Sequence, residues 1–331
     1  MAHNLTLSQA TAGCLLYKTA TGKAPATIVD YQNAYKKLAA YFPDDPPISS
    51  ITRQQLVEFF AYLQDGYVTD PDGFAPRGLI HLAPKSVYNI HTALSALWTW
   101  ATDEGYVKSN LIRTIEAPEY ESRAIEPFTH DELTALLHAC DVGRSWKTRP
   151  HTVSKRATAD RDRAIVLVLL DTGIRRSELC GLTFDDVNLT ANTLIVRGKG
   201  KGRGKKERTV YFGKRTARAL WRYLTPRLQS TKPDQPVFTV GPADDTRPLA
   251  PNVLRRLLKR IGDRAGIPRV HPHRFRHTFA ITYLRNGGDP FTLQILLGHS
   301  NLEMVRHYLA IVQADCADAH QRASPVDNWR L

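Results

Sequence analysis

Residues 271–308, HPHRFRHTFAITYLRNGGDPFTLQILLGHSNLEMVRHY, leave the backbone few choices. Pro272 suits a first helical turn, where its missing N–H costs nothing, and Asn286-Gly287-Gly288 supplies an ending. Asp289-Pro290 reads as an N-cap followed by proline at the first helical position. Gly298 closes that second helix, and Ser300-x-x-Glu303 fits a capping box that opens a third. The pattern predicts three short helices with polar residues gathered near their ends. His273, Arg276 and His277 lie at i, i+3 and i+4 and share one face. Phe275, Phe279, Ile281 and Leu284 supply the buried side. His299 precedes the third helix and Tyr308 falls about two turns into it. A cation, imidazoles and a phenol so arranged suit one anion, such as a phosphate.

Charge points the same way. The net charge is +13. Residues 1–120 hold 9 Lys and Arg against 11 Asp and Glu, and the remainder holds 36 against 21. Basic charge concentrated in one part is the footprint of a polyanionic partner, most simply nucleic acid. The four cysteines, Cys14, Cys140, Cys180 and Cys316, form no C-x-x-C pair. That argues against a disulfide framework or cysteine zinc site and fits a reducing cytoplasm. The longest apolar run, 164–170, is too short to span a bilayer, and the N-terminus lacks a basic-then-apolar signal.

Taken in order, residues 27–42, 52–65 and 85–105 show apolar residues at helical spacing. In the last of these Val87, Ile90, Leu94, Leu97, Trp98 and Ala101 turn inward. Residues 5–17 form a further helix, and 66–84 read as a loop. The segment 117–121 is a short extended linker. Thr129 with Glu132 is another capping box, 141–160 reads as an exposed polar and basic loop, and 160–170 as a helix ending at Asp171-Thr172-Gly173. Arg175 then sits in the first turn of a new helix, beside free N–H groups and the positive dipole end. Glu178 shares its face and can orient a cation. Residues 192–196 and 207–212 are β-like. Between them RGKGKGRGKKER (197–208) carries seven basic residues and four glycines in twelve. This predicts a hairpin whose tip, with Lys201, Arg203, Lys205, Lys206 and Arg208, lies along a phosphate backbone. Residues 214–228 and 252–266 are amphipathic helices. The fold class expected is mainly α with a small antiparallel β-sheet (α+β).

With TGIRRSEL, the GKG of the hairpin, HPHRFRH, LGHS and Tyr308 in this order, the chain resembles the tyrosine recombinases of the phage integrase family, in a simple two-domain form similar to Xer-like and mobile-element integrases. The resemblance implies a helical, SAM-like core-binding domain over 1–118. It implies a catalytic domain over 119–331, with β-hairpin 193–212 and a C-terminal tail 312–331 that docks on a neighbouring protomer. It assigns Arg175 and Arg276 as the clamp on the scissile phosphate and Lys199 as the general acid for the leaving 5′-oxygen. Lys201, Lys205 and Lys206 are alternative donors on the same hairpin. His273 belongs to the H-x-x-R pair, His299 donates to the phosphate, and Tyr308 is the nucleophile. Glu178 and His277 are supporting residues.

The residue types suit that chemistry. Two guanidiniums give planar contacts to the non-bridging oxygens. A phenol needs a proton acceptor, for which His273 is the first candidate. A phosphotyrosine conserves the bond energy, so rejoining needs no ATP. No cofactor and no metal is required; His271-x-His273-x-x-x-His277 lacks a matching further ligand for zinc. The implied function is site-specific DNA cleavage and rejoining through a 3′-phosphotyrosine, for integration, excision or transposition of a mobile element. Xer-like resolution of chromosome or plasmid dimers is the alternative. The implied partner is a double-stranded recombination site, bound by a homotetramer on two DNA sites from a protein that is monomeric when free, with no membrane involved. One geometric expectation follows. Nine residues at about 100° each would place His299 and Tyr308 on opposite faces of one helix. The Tyr308 helix is therefore expected to be separate and loosely packed, with Tyr308 away from Arg276 when DNA is absent.

Overall fold

The structure, a computed structural model, describes residues 5–67, 82–121, 124–142, 156–198, 207–228, 232–242, 245–299, 302–324 and 326. It divides into two compact units, Met1–Arg123 and Ala124–Leu331.

The first unit is built on four α-helices. Capping boxes start α1 (Leu7–Ala20), through Thr6 and Gln9, and α3 (Arg53–Ala61), through Thr52 and Gln55. Proline at the first position starts α2 (Pro25–Tyr41) and α4 (Pro84–Asp103), where φ is already helical and no N–H is needed. The inward stripe of α4 is the one its spacing predicts, and Trp100 is buried with it. Leu38, Leu56, Phe59, Leu94, Leu97 and Trp98 are fully buried in one cluster, the core of this unit. Asn110 ties the chain after α4 back to it, donating to Ser95 O and Thr99 Oγ1 at 2.9 Å each.

In the second unit α5 (His130–Asp141) opens on the Thr129–Glu132 capping box. It is followed by α6 (Ala159–Thr172) and α7 (Arg176–Cys180). The sheet has strands β1 (Val187–Asn188), β2 (Thr193–Arg197) and β3 (Glu207–Tyr211), antiparallel and in that order. Leu194 pairs with Val210 and Val196 with Arg208. Five helices complete the unit: α8 (Lys214–Leu224), α9 (Pro251–Ala265), α10 (Pro272–Arg285), α11 (Pro290–Leu297) and α12 (Glu303–Ala323). Helix α6 is the spine. Ala164, Ile165, Val166, Val168 and Leu169 are all fully buried, because α5, α8 and α10 pack around it and a helix enclosed on several sides is apolar around most of its circumference.

Two expectations change. The third helix of the 271–308 stretch is not short: α12 has 21 residues and continues to Ala323, so the first part of the 312–331 tail is its last three turns. The strand β1 has two residues, too few to show an alternating pattern in sequence. The Ser300 cap, the hairpin tip 199–206, most of the 66–84 loop and residues 143–155 of the 141–160 loop lie outside the described residues. Among the described residues no helix is long and apolar enough to cross a membrane.

Gly173 ends α6 with φ of 60° and packs directly against two later helices. A Cβ there would lie 2.4 Å from Phe279 Cδ1 and 2.9 Å from Leu297 Cδ2. Gly173→Ala combines left-handed strain of about 1–2 kcal/mol with overpacking of about 1–3 kcal/mol. Urea unfolding is expected to show a loss of at least about 2 kcal/mol from these two terms; an unchanged midpoint would refute this packing.

Candidate active site

The site is assembled where α6, β3, α10 and α11 end or begin. Arg175 is the N-cap of α7, one position earlier than its sequence suggested, and its own N–H donates to Glu178 Oε2 at 2.7 Å. Its guanidinium donates to Glu178 Oε1 at 3.0 Å and to the Gly298 carbonyl at 3.1 Å. Arg276, 4% exposed, donates to the Gly173 carbonyl and the Leu297 carbonyl, both at 2.7 Å. Both arginines thus rest on carbonyls at helix C-termini, where backbone acceptors are left over and the dipole is negative. Burial, then Arg175, holds the Arg276 guanidinium down at about 10. It remains a cation at neutral pH.

Glu178 is the only acid in direct contact with this group among the described residues. Its side chain is 2% exposed. Besides Arg175 it accepts two hydrogen bonds from Arg208, at 3.0 and 2.8 Å. Burial alone would raise its carboxyl. The hydrogen bonds from Arg208 and from the Arg175 backbone outweigh that, and the group stays below the usual carboxylate range. Arg208 also donates to Leu296 O at 2.7 Å. Arg208, expected to lie along DNA, has three N–H groups engaged with Glu178 and α11, and it braces Arg175 from behind. The signal was present in the sequence, because Arg208 and the buried Val210 lie two apart on a strand and share the inward face.

His299 follows the left-handed Gly298 that closes α11. Its Nε2 lies 2.7 Å from Arg276 Nη2. A guanidinium has no acceptor, so Nε2 accepts and the ring proton sits on Nδ1. Burial, then the Arg276 and Arg175 charges, hold the imidazole down at about 4, so it is neutral. The Nδ1–H is buried and has no hydrogen-bond partner among the described residues. A cleft lined by Arg175, His273, Ile295, His299, Arg208 and Gly198 opens in front of these groups. His273 is exposed at its rim, and Gly198, just after β2, also lines it. Lys199, Lys201, Arg203, Lys205 and Lys206 lie outside the described residues.

Tyr308 departs from expectation. It is 1% exposed and packs with Val305 against Ala280, Ile281, Leu284, Leu293 and Leu297. Its helix is therefore docked on a core of its own rather than loosely held. Its hydroxyl lies 2.8 Å from His277 Nδ1, so the imidazole in contact with the phenol is His277 and not His273. Burial raises the phenol above its usual value, against a lowering by Arg276 and Arg175. Burial, then His273, holds His277 at about 4. Both partners are neutral, and the phenol O–H donates a hydrogen bond to Nδ1. Tyr308 is not among the residues that line the cleft.

Residues 126–314 match the profile of the phage integrase family. The chain is 37% identical over 269 residues to tyrosine recombinase XerA of Pyrococcus furiosus, covering 81% of this chain and 85% of the relative. Among solved structures, the Tn1549 transposon integrase in complex with a circular intermediate DNA superposes with a TM-score of 0.68 at 18% identity, over 92% of this chain and 95% of that one. A lambda integrase dimer bound to a core site gives 0.67 at 17% identity, over 92% and 95%. These two likenesses are of fold.

Glu178→Gln leaves Arg208 buried with its charge unmatched, and a loss of about 3 kcal/mol is expected in unfolding at neutral pH. The carboxyl of Glu178 is depressed in the folded protein. Its contribution is therefore complete above the ordinary value of 4.5 and disappears as pH falls through the lower folded value. The gap between wild type and variant should narrow in acid; a gap independent of pH would contradict the role given to this carboxylate.

Proposed function

This chain belongs to the phage integrase family of tyrosine recombinases, enzymes that cleave and rejoin DNA strands, and we propose that it recombines DNA at specific sites through a 3′-phosphotyrosine on Tyr308. The observation that carries this reading is that Arg175 and His299 line one cleft, with Arg276 directly behind it, hydrogen-bonded to His299. The scissile phosphate binds there. The two guanidiniums take its non-bridging oxygens, and His299 adds a neutral donor, so charge that builds up in the transition state meets groups already in place. The Tyr308 oxygen attacks phosphorus and the 5′-oxygen leaves with a proton from Lys199. A 5′-hydroxyl from the partner strand then attacks the phosphotyrosine, which reverses the bond changes without ATP. Glu178 and Arg208 position Arg175.

A phenol that is 1% exposed cannot meet a phosphate. In our reading the buried arrangement is the resting one, His277 holds the phenol in it, and binding of DNA turns Tyr308 out toward the cleft. His273, at the rim, then takes the phenolic proton. The first unit reads the core site. Its sequence is net acidic, so salt-dependent affinity rests mainly on the second unit. Four protomers act on two duplexes, and the free protein is a monomer. We assign the reaction to the movement of a mobile element in the cytoplasm. Dimer resolution is the second reading, favoured by the similarity to a relative named XerA. The DNA flanking the gene distinguishes them, since element ends around a short spacer belong to the first reading alone.

A nicked suicide substrate is expected to trap wild-type protein covalently and Tyr308→Phe not at all; an adduct with the variant would overturn the assignment of the nucleophile. His277→Ala removes one hydrogen bond of about 1 kcal/mol from the resting state and is expected to speed adduct formation several-fold. A slower reaction would instead give His277 a part in the chemistry.

A further inference from the structure

Away from the cleft, α8 presents a second basic surface that the chemistry above does not use. Arg215, Arg218 and Arg222 lie at i, i+3 and i+7, so they share one face, and all three are exposed. None makes a hydrogen bond or ion pair with a described residue. The segment 213–228 contains no acidic residue. Below the arginines is a depression floored by Leu137, Leu167 and Ala219. Of the two acids in its lining, Asp141 is bound by Arg163 at 2.6 Å, and Asp160 has an interaction of its own. Two aromatic rings close to the arginines in sequence are exposed, Tyr211 at 64% and Trp221 at 56%. Arginines clustered along one helix face, with no acid bound to them among the described residues, are the electrostatic footprint of a nucleic-acid surface.

The placement of this surface indicates which nucleic acid. Asp171, two residues before Gly173, accepts from Gly213 N at 2.7 Å and from Thr216 Oγ1 at 2.6 Å. The start of α8 is therefore fastened to the end of α6 that leads into Arg175. The far end of the arginine row, at Arg222, lies beside Asp160 and Arg163 at the start of α6. The row begins near the catalytic end and leads away from it. From Arg215 to Arg222 it rises about 10 Å, a span over which one DNA strand presents about three phosphates. We propose that Arg215, Arg218 and Arg222 bind the backbone of duplex DNA flanking the recombination core, as an extension of the substrate beyond the segment that is cut. This rests on the recombinase reading of the cleft. A free anion would need only one of these arginines; the row calls for a ligand with repeated charge. An acidic protein segment would be the competing partner, and it is an outcome of the test.

The test compares a core duplex, trimmed to the shortest length that still yields adduct, with the same core extended by about two helical turns on each side. Wild type and the triple variant R215Q/R218Q/R222Q are measured on both. Wild type is expected to bind the extended duplex more tightly than the core, and the variant to bind both alike. Each phosphate contact contributes about 0.9 to the slope of log affinity against log salt. On the extended duplex the slope should therefore fall by about 2 to 3 in the variant. Between about 50 and about 200 mM salt this is a difference of roughly 40-fold. Adduct yield on the trimmed core should be equal for the two proteins, which also shows that the variant is folded. Equal slopes on the extended duplex, or no gain from the flanks in wild type, would overturn the proposal and leave an acidic protein as the partner. Loss of adduct on the trimmed core would also overturn it, by making the row part of the core site. If wild type gives no adduct on any core, the recombinase reading fails instead, while the binding comparison, made on any duplex it retains, still reports on the row.

Discussion

One buried carboxylate holds the catalytic end of the second unit together. Glu178 accepts from the Arg175 backbone, the Arg175 guanidinium and both terminal nitrogens of Arg208. Without it, two cations would face each other in a site that already contains Arg276. With it, α7, β3 and α11 are joined at one point, because Arg208 continues to Leu296 O. The arrangement keeps a surplus of positive charge: three guanidiniums share one acid. In the function proposed above a phosphate restores the balance, so the surplus that costs the free protein stability favours binding of an anion.

The three helix-ending carbonyls at Gly173, Leu297 and Gly298 do comparable work for the arginines. Two of these residues are glycines with positive φ, and in both cases a side chain would strike a neighbour. At Gly298 that neighbour is Arg208 itself, 2.9 Å from the position a Cβ would take. Helix termination and active-site assembly are therefore one event. The backbone turns sharply, and its freed acceptors orient the guanidiniums of Arg175 and Arg276.

Much of this was legible in sequence because it depends on local rules. Caps at Thr129 and Asp289, prolines at first helical positions and glycines at helix ends have short-range signatures, and the structure follows them. The shared face of His273, Arg276 and His277 came from helical spacing alone. What was not legible depends on which neighbour a side chain meets across the fold. Spacing could not say whether His273 or His277 touches Tyr308, since both lie on the same face, and a charge-based reading sent Arg208 outward when strand alternation sent it inward. The length of α12 was missed because a mixed polar and apolar sequence after Tyr308 carries no stop signal and was read as a tail. The burial of Tyr308 was missed for a different reason. A nucleophile suggests exposure, whereas Val305 and Tyr308, three apart on one helix, form an apolar stripe that packs like any other.

The length of α12 turns its far end into a handle. Tyr308 lies in the second turn, and about 22 Å of helix extends beyond it to Ala323 at 1.5 Å per residue. A helix transmits rotation and axial shift along its length with little loss, so a force applied near Ala323 arrives at the phenol. The core around Val305 and Tyr308 resists that force, and the single hydrogen bond to His277 sets part of the threshold. If Tyr308 is the nucleophile proposed above, it is thus connected along the helix axis to the far end of α12, and anything that grips that end, including another copy of the chain, gains leverage over its release.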